Sequence, residues 1–256
     1  MRAHGAIIRL HADAQEYAST VNASIATAHG GVSPHPLSGG ALYALTADLF
    51  GMHRAVFSLC EDGWAFAAVA LLRSMMDLLL SAAVITEEEL DAEYRGFKYT
   101  YFFLKAELNE AALSAAARTA VRARIEEGIK LLPPEHKQRA RDFMFREGLW
   151  GYWYCPEFRR PTEVLDRLSS AEVRALYDAY SGGSHGGYLG LRMLKDEPNQ
   201  VHPNQRPDPR SQNLALVVST RLLLDMMSIR DRFENGDVHG LTYQALLNRL
   251  VSLRPA

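Results

Sequence analysis

Cysteine is scarce in this chain of 256 residues, and neither sign of charge dominates. Two cysteines, Cys60 and Cys155, are too few for a disulfide framework or a four-cysteine zinc site, and no CxxC motif occurs. This usage favours a reducing compartment, so we expect a cytoplasmic protein. Because 28 Lys and Arg residues face 30 Asp and Glu residues, no global positive field attracts nucleic acid or acidic membranes. Any basic site must be local.

Long uninterrupted hydrophobic runs are also missing. Arg9 and Asp13 interrupt the apolar residues near the N-terminus before they reach signal-peptide length. The most membrane-like stretch, residues 64–85, carries Arg73 and Asp77 near its middle. Each charge would cost roughly 2.5–3.5 kcal/mol at the centre of a bilayer. We therefore expect a buried core helix there, and no membrane partner.

Apolar residues recur at steps of three and four along most of the chain, which is the spacing of amphipathic helices. No segment alternates apolar and polar residues for long enough to indicate a strand. The sequence therefore predicts an all-α fold, a compact multi-helix bundle with a central apolar helix at about 64–85. We expect a single domain over residues 1–256, with a core at about 41–190 on which C-terminal helices at 211–253 pack.

Capping and breaking signals place the helix boundaries. Capping-box spacings start helices after Thr86 (with Glu89) and Ser169 (with Glu172). A bend is expected at Asn109. The predicted helices are 3–28, 41–60, 64–85, 87–132, 134–146, one from Ser169 towards His185, 213–233 and 241–253. Two elaborated loops, 148–161 and 198–209, separate the later helices.

A charged pair interrupts the most apolar predicted helix. Arg73 and Asp77 lie four residues apart, so they share a helical face and can reach one another. Two interpretations stay open: the pair fixes how this helix packs, or Arg73 faces a cleft and binds an anion.

A second polar group lies in the segment YDAYSGGSHGG. Tyr177, Ser181 and His185 follow one another at steps of four and could line one helical face. Glycines on both sides of His185 would let another backbone or a ligand approach closely. His185 could equally hydrogen-bond a buried partner such as Asp77. A Ser181–His185 nucleophile pair is a further alternative, although no nucleophile elbow or oxyanion motif surrounds Ser181.

Two loops contain residue types that nucleotide-binding sites use. The segment LWGYWYCPEFRRP combines Trp153 and other aromatic residues with Arg159 and Arg160, which together could hold a base and a phosphate. A hydrophobic plug under a basic rim would explain the same residues. The glycine-rich GGVSPHPLSGG lacks the GK[ST] of a P-loop and follows no strand, so we interpret it as a linker.

Taken together, these motifs resemble a family of uncharacterised bacterial all-helical proteins, a domain of unknown function with distant similarity to HEPN-like and abortive-infection proteins. The resemblance spans about residues 50–190 and is carried by ALLRSMMDLLLSAAVI, a tryptophan-bearing loop and Y-x-x-x-S-x-x-x-H-G, that is by Arg73, Asp77, Trp150, Trp153, Tyr177, Ser181, His185 and Gly186. It implies a helical bundle in which Arg73, Asp77 and His185 are grouped in space. It implies no established reaction.

HEPN ribonucleases resemble the chain more loosely, through an arginine followed closely by a histidine. Arg232 and His239 in RFENGDVH have about this arrangement. The segment Asn235 to Asp237 should end the helix between them, because its glycine can adopt the left-handed conformation. That would depart from the usual placement of both residues on one helical segment.

Histidines from different segments could build a metal site between helices, as helical bundles do. The candidates are His11, His29, His53 and His185. No HExxH and no paired ExxH motif occurs among them. We expect neither a metal nor another cofactor.

The leading hypothesis is a helical bundle with a polar cleft that binds an anionic ligand such as RNA or a nucleotide. The candidate catalytic residues are Arg73, Asp77, Ser181 and His185, and the candidate ligand-binding residues are Trp153, Arg159, Arg160 and Tyr177. Family analogy suggests a defence-type ribonuclease. The alternative is a non-catalytic interaction or oligomerisation module, in which the same residues lock the core and helix surfaces bind a protein partner or a second copy.

Overall fold

A computed structural model describes residues 2–31, 33–65, 67–148, 152–155, 157–168, 174, 177–178, 195–197, 200–201 and 209–253. These residues form α1 (Arg2–Ala28), α2 (Ser38–Glu61), α3 (Ala68–Thr86), α4 (Ala92–Leu108), α5 (Ala115–Leu131), α6 (Pro134–Phe145), α7 (Pro161–Leu168), α8 (Pro209–Asn235) and α9 (Gly240–Ser252). A 3-10 helix spans Glu89–Asp91, and β1 (Lys195–Glu197) pairs antiparallel with β2 (Gln200–Val201). The predicted all-α fold is confirmed.

Local signals set several helix ends as the sequence predicts. The turn after α1 contains Gly30 at φ +59° and Gly31 at φ +82°, a left-handed conformation that costs glycine little. Pro134 occupies the first turn of α6, where its missing N–H breaks no helical hydrogen bond.

The predicted start of the fourth helix was wrong. Thr86 does not cap a new helix, because it lies in the last turn of α3 and its hydroxyl donates to the Ala82 carbonyl at 3.0 Å. Glu88 is extended, and the chain then passes through the 3-10 helix before α4 begins. A hydroxyl that bonds back by four residues is satisfied inside its own helix.

Three further boundaries differ from the prediction. Trp64 precedes α3 instead of opening it, and it is 45% exposed. The expected bend at Asn109 is a break, since α5 starts afresh where the Ser114 hydroxyl accepts from the Ala117 amide at 3.2 Å. Helix α7 and the two strands were not predicted, because elements this short show too little periodicity. The helix expected to start at Ser169 lies mostly outside the described residues.

The core brings together helices from both ends of the described chain. Helix α8 packs against α1, α2, α3 and α9, and α3 packs against α2, α4, α7 and α8. A second apolar cluster fills the space between α4, α5 and α6. Helix α3 therefore lies between the cluster around α8 and the cluster of α4, α5 and α6. One further side of α3 faces described residues from Tyr152 to Val164.

Helices α2 and α4 cross at very short range. The Glu93 carboxylate accepts from the Leu37 and Ser38 amides at 3.2 and 3.0 Å, which satisfies donors at the start of α2. At Gly96, an added Cβ would lie 2.5 Å from the Ser38 backbone. Only glycine fits at position 96, because the backbone of Ser38 occupies the space that a Cβ would need.

We expect Gly96→Ala to lower the free energy of unfolding by about 2 kcal/mol, because the new methyl group must separate two helices. Urea unfolding followed by circular dichroism measures the change. Gly51→Ala is the matched control, since a Cβ at this exposed helical position meets nothing within 4 Å, and it should be neutral or stabilising by up to about 1 kcal/mol. Equal stability of the two variants would contradict the close crossing.

Helix α3 has the length and composition of a membrane span. Its mean hydropathy is 1.8 over the most apolar window, of which 56% is buried inside the protein. No other helix of the described ranges passes the same test. Core helices of folded proteins pass it as well, and its burial fits the core position that the sequence predicts.

Candidate functional site

The ion pair expected on the apolar helix is present and lies at the edge of a cleft. Arg73 Nη1 contacts Asp77 Oδ1, with the Arg73 side chain 16% exposed and the Asp77 side chain 51% exposed. Arg73 Nη2 also donates to the Tyr177 hydroxyl. The Arg73 guanidinium carbon lies 3.7 Å from the centroid of the Tyr177 ring, which is close enough for a cation–π contact. Three residues chosen from the sequence thus meet in space.

Aromatic residues after position 151 form the opposite wall of this cleft. We call the described residues 152–155 and 157–160 the aromatic loop. The cavity between α3 and this loop holds about 250 Å³ and is lined by Arg73, Asp77, Leu80, Ser81, Tyr152, Trp153, Tyr154, Pro161 and Val164. The rings of Tyr152 and Tyr154 stack with centroids 5.2 Å apart and an angle of 7°. Tyr152 is 44% exposed, whereas Trp153 and Tyr154 are buried.

An ionic network holds the aromatic loop against the bundle. The Glu157 carboxylate lies 3.3 Å from Arg95 Nε, 3.6 Å from Lys98 Nζ and 3.1 Å from Arg139 Nη2. Lys98 Nζ also donates to the Cys155 carbonyl at 2.9 Å. These contacts tie the loop to α4 and α6 at Cys155 and Glu157. The aromatic wall is therefore held against the bundle by charged side chains.

Burial controls the protonation of the groups in and behind the cleft. It raises the pKa of Tyr177 to about 12, with the charge of Asp77 adding to the effect. Burial also raises the pKa of the Tyr154 hydroxyl, and it lowers the pKa of Lys98 to about 8 against the opposing pull of Glu157. At neutral pH both tyrosines therefore keep their protons and can act as hydrogen-bond donors.

The predicted site residues separate into three groups. Trp153 and Tyr177 join Arg73 and Asp77 at the cleft. Arg159 and Arg160 are exposed on the same loop, and neither is among the described residues that line the cavity. The remaining predicted residues, Trp150, Ser181 and His185, lie outside the described residues.

Sequence reasoning missed the residues that build the aromatic wall. Tyr152 and Tyr154 belong to the predicted loop 148–161, but Trp153 was the one aromatic residue of that loop selected as a ligand-binding candidate. Trp153 makes an edge contact with Tyr99 and is the inner part of the wall. Burial separates the two inner rings, Trp153 and Tyr154, from the exposed ring of Tyr152. This difference depends on packing that no local pattern specifies.

Three of the candidate metal ligands make structural contacts instead. The rings of His11 and His53 stack in the core with centroids 3.8 Å apart, and His29 Nε2 bonds the Glu234 carbonyl at 2.6 Å. Within the described ranges, no three His, Cys, Asp or Glu residues are grouped to hold a metal ion.

The loosely HEPN-like pair is divided as expected. Helix α8 ends at Asn235, and Gly236 and Asp237 follow at φ +68° and +64°. Arg232 therefore lies on α8, whereas His239 lies at the start of α9. The two residues do not share a helical segment.

Comparison with known proteins gives no relative: no family model, curated protein or solved structure matches this chain. The cleft must therefore be interpreted from its own geometry.

Proposed function

We propose that the cleft between α3 and the aromatic loop binds a nucleotide, either free or as one unit of a single-stranded RNA. The observation that carries this proposal is the half-exposed Tyr152 ring, stacked on Tyr154 and lining the same cavity as the half-exposed Asp77. An aromatic platform beside a carboxylate offers stacking and an acceptor for a base edge. These are the two contacts by which proteins bind unpaired bases.

The dimensions and charge of the cleft favour the base over the phosphate. A volume of about 250 Å³ is slightly below the roughly 300–1,000 Å³ of sites for whole small molecules. Arg73 is already balanced by Asp77, so the pair offers donors and an acceptor with no net positive charge. A neutral base satisfies such a pair better than a phosphate does.

Phosphate binding is assigned to the rim of the same loop. Arg159 and Arg160 are exposed next to the α7 N-terminus, and arginine binds phosphate oxygens in bidentate geometry. Because only two arginines are involved, the salt dependence should be shallow compared with that of proteins that contact many phosphates.

Calorimetric titration with the four nucleoside monophosphates and with a short single-stranded RNA tests the proposal. Tyr152→Ala should weaken binding about tenfold, because stacking on one aromatic residue contributes roughly 1–3 kcal/mol per base. Asp77→Asn should change which base is preferred. Phe103→Ala is the matched control, since Phe103 is 55% exposed elsewhere on the surface.

Binding of monophosphates alone would identify a free nucleotide as the ligand, whereas binding of the RNA alone would identify a strand. If the RNA is cut, Ser181→Ala and His185→Ala test the catalytic assignment and the ribonuclease hypothesis. The defence setting and the cytoplasmic location rest on analogy and composition. Absence of binding to any probe would contradict the proposal and favour the interaction-module alternative.

A further inference from the structure

A second cavity, of about 450 Å³, lies between α1, α2 and α8, away from the aromatic cleft. Its lining consists of Asn22, Ile25, Ala26, His29, Gly31, Ser33, Pro36, Gly39, Gly40, Tyr43, Arg230 and Glu234. The glycine-rich segment interpreted as a linker thus forms one wall of a cavity. We propose that this cavity binds a small zwitterion, a molecule that carries both an ammonium and a carboxylate group, as a free amino acid does.

A buried ion pair forms the polar side of the cavity. The side chains of Arg230 and Glu234 are 6% and 1% exposed, and Arg230 Nε donates to Glu234 Oε1 at 2.5 Å. Desolvating two charges is costly, and an apolar pair of similar size often stabilises a fold as well or better. An ion pair retained at a cavity wall is therefore better explained by a ligand than by stability.

Arg230 retains donors for a carboxylate. A guanidinium has five N–H groups, and the described contacts use one for Glu234 and one for Asn22 Oδ1. The planar fork of the remaining groups matches a carboxylate in bidentate geometry. The anionic end of the ligand is thus assigned to Arg230.

Acceptor groups for an ammonium surround the same wall. Glu234 Oε2 lies near the Gly39 backbone, 3.2 Å from where a Cβ would stand, and Oε1 holds Arg230. The Tyr43 ring is 62% exposed and lines the cavity, and the Arg230 guanidinium carbon lies 5.4 Å from the centroid of this ring. Because a carbonyl only accepts, His29 Nε2 donates to Glu234 O at 2.6 Å.

Charge balance selects a zwitterion over a simple ion. Arg230 and Glu234 neutralise one another. An amine alone would therefore be repelled by the positive charge of Arg230, and a carboxylate alone would be repelled by the negative charge of Glu234. A ligand with both groups can satisfy both residues. Its apolar part would contact Ile25, Ala26 and Pro36.

L-Norleucine and its two half-molecules provide a direct test by calorimetric titration. Pentylamine is norleucine without its carboxylate, and hexanoate is norleucine without its amine. We expect norleucine to bind at least tenfold more tightly than either half-molecule. Binding of pentylamine or hexanoate as tightly as norleucine, or no heat from norleucine at millimolar concentration, would overturn the proposal.

Two glycines of α2 give a matched pair of variants. A Cβ added at Gly40 or at Gly51 meets nothing within 4 Å, and both positions are exposed, but only Gly40 is among the residues that line the cavity. Gly40→Leu should abolish norleucine binding while Gly51→Leu preserves it, with both folds checked by circular dichroism. Equal binding by the two variants would overturn the site. Nucleotide binding at the aromatic loop should be unchanged in both, which separates the two proposals.

Discussion

Lowering the pH from 7 to 5 is expected to reduce the free energy of unfolding by about 4 kcal/mol through two histidines alone. His11 and His53 are 3% and 0% exposed, and their rings stack 3.8 Å apart with Phe57 against His11. Burial lowers the pKa of His11 to about 4. Burial, with the charge of His11 adding to it, lowers the pKa of His53 to about 3.

The direction of this pH dependence follows from which state takes up protons. The ordinary histidine pKa of 6.5 applies to the unfolded chain. Above this value the rings are neutral in both states and their full contribution to stability is present. Below it the unfolded chain binds protons that the folded core excludes, so stability falls from pH 6.5 down to the folded pKa values. By pH 5 each histidine accounts for about 2 kcal/mol.

Urea unfolding at pH 7 and pH 5 measures the effect, and variants isolate the pair from other titrating groups. His11→Phe keeps an aromatic ring against Phe57 and removes one proton site. We expect it to reduce the pH-dependent loss by about 2 kcal/mol. His4→Gln is the control, because the His4 side chain is 39% exposed, and it should keep the full acid sensitivity. If the free energy of unfolding falls by the same amount between pH 7 and pH 5 in His11→Phe and in His4→Gln, the buried histidine pair is not the cause of the acid sensitivity.

The sequence predicts those features that depend on neighbouring residues along the chain. Apolar spacing predicts most helices, the Gly30–Gly31 and Pro134 signals place their ends, and four-residue spacing predicts the Arg73–Asp77 contact. Each of these depends on a few consecutive residues, so no knowledge of the tertiary packing is needed.

Features that depend on packing between distant segments could not be predicted. His11 and His53 were considered as metal ligands, but their rings stack because α1 and α2 both pack against α8. Nothing in the segment around Glu157 marks this residue as the partner of Lys98, which comes from another helix. Opposite charges are plentiful in the chain, and only tertiary packing decides which of them meet away from water.

Replacing Glu157 by glutamine is expected to cost about 3 kcal/mol of unfolding free energy at pH 7. Removing one partner of a buried ion pair leaves the other charge without compensation, which typically costs roughly 3–5 kcal/mol. The Lys98 and Arg95 side chains are 1% and 4% exposed, but Glu157 itself is 21% exposed. This partial exposure places the expected loss at the lower end of the range.

A surface ion pair provides the control for this substitution. Arg141 and Glu126 lie 3.2 Å apart with side chains 43% and 39% exposed. Glu126→Gln removes the same charge from the same type of residue and should cost less than about 1 kcal/mol. Urea unfolding of both variants measures the difference, and equal losses would contradict the burial argument.

The pH dependence of the Glu157→Gln defect separates the contribution of Lys98 from that of Arg95. Because the pKa of Lys98 is about 8 in the folded protein, its amine is mostly neutral at pH 9.5 even when Glu157 is present. Loss of the carboxylate then costs nothing at Lys98, while the permanently charged Arg95 keeps Glu87 as a partner at 3.1 Å. The defect should therefore shrink by about 1 kcal/mol between pH 7 and pH 9.5. A defect of equal size at both pH values would show that Glu157 does not hold the aromatic loop through Lys98.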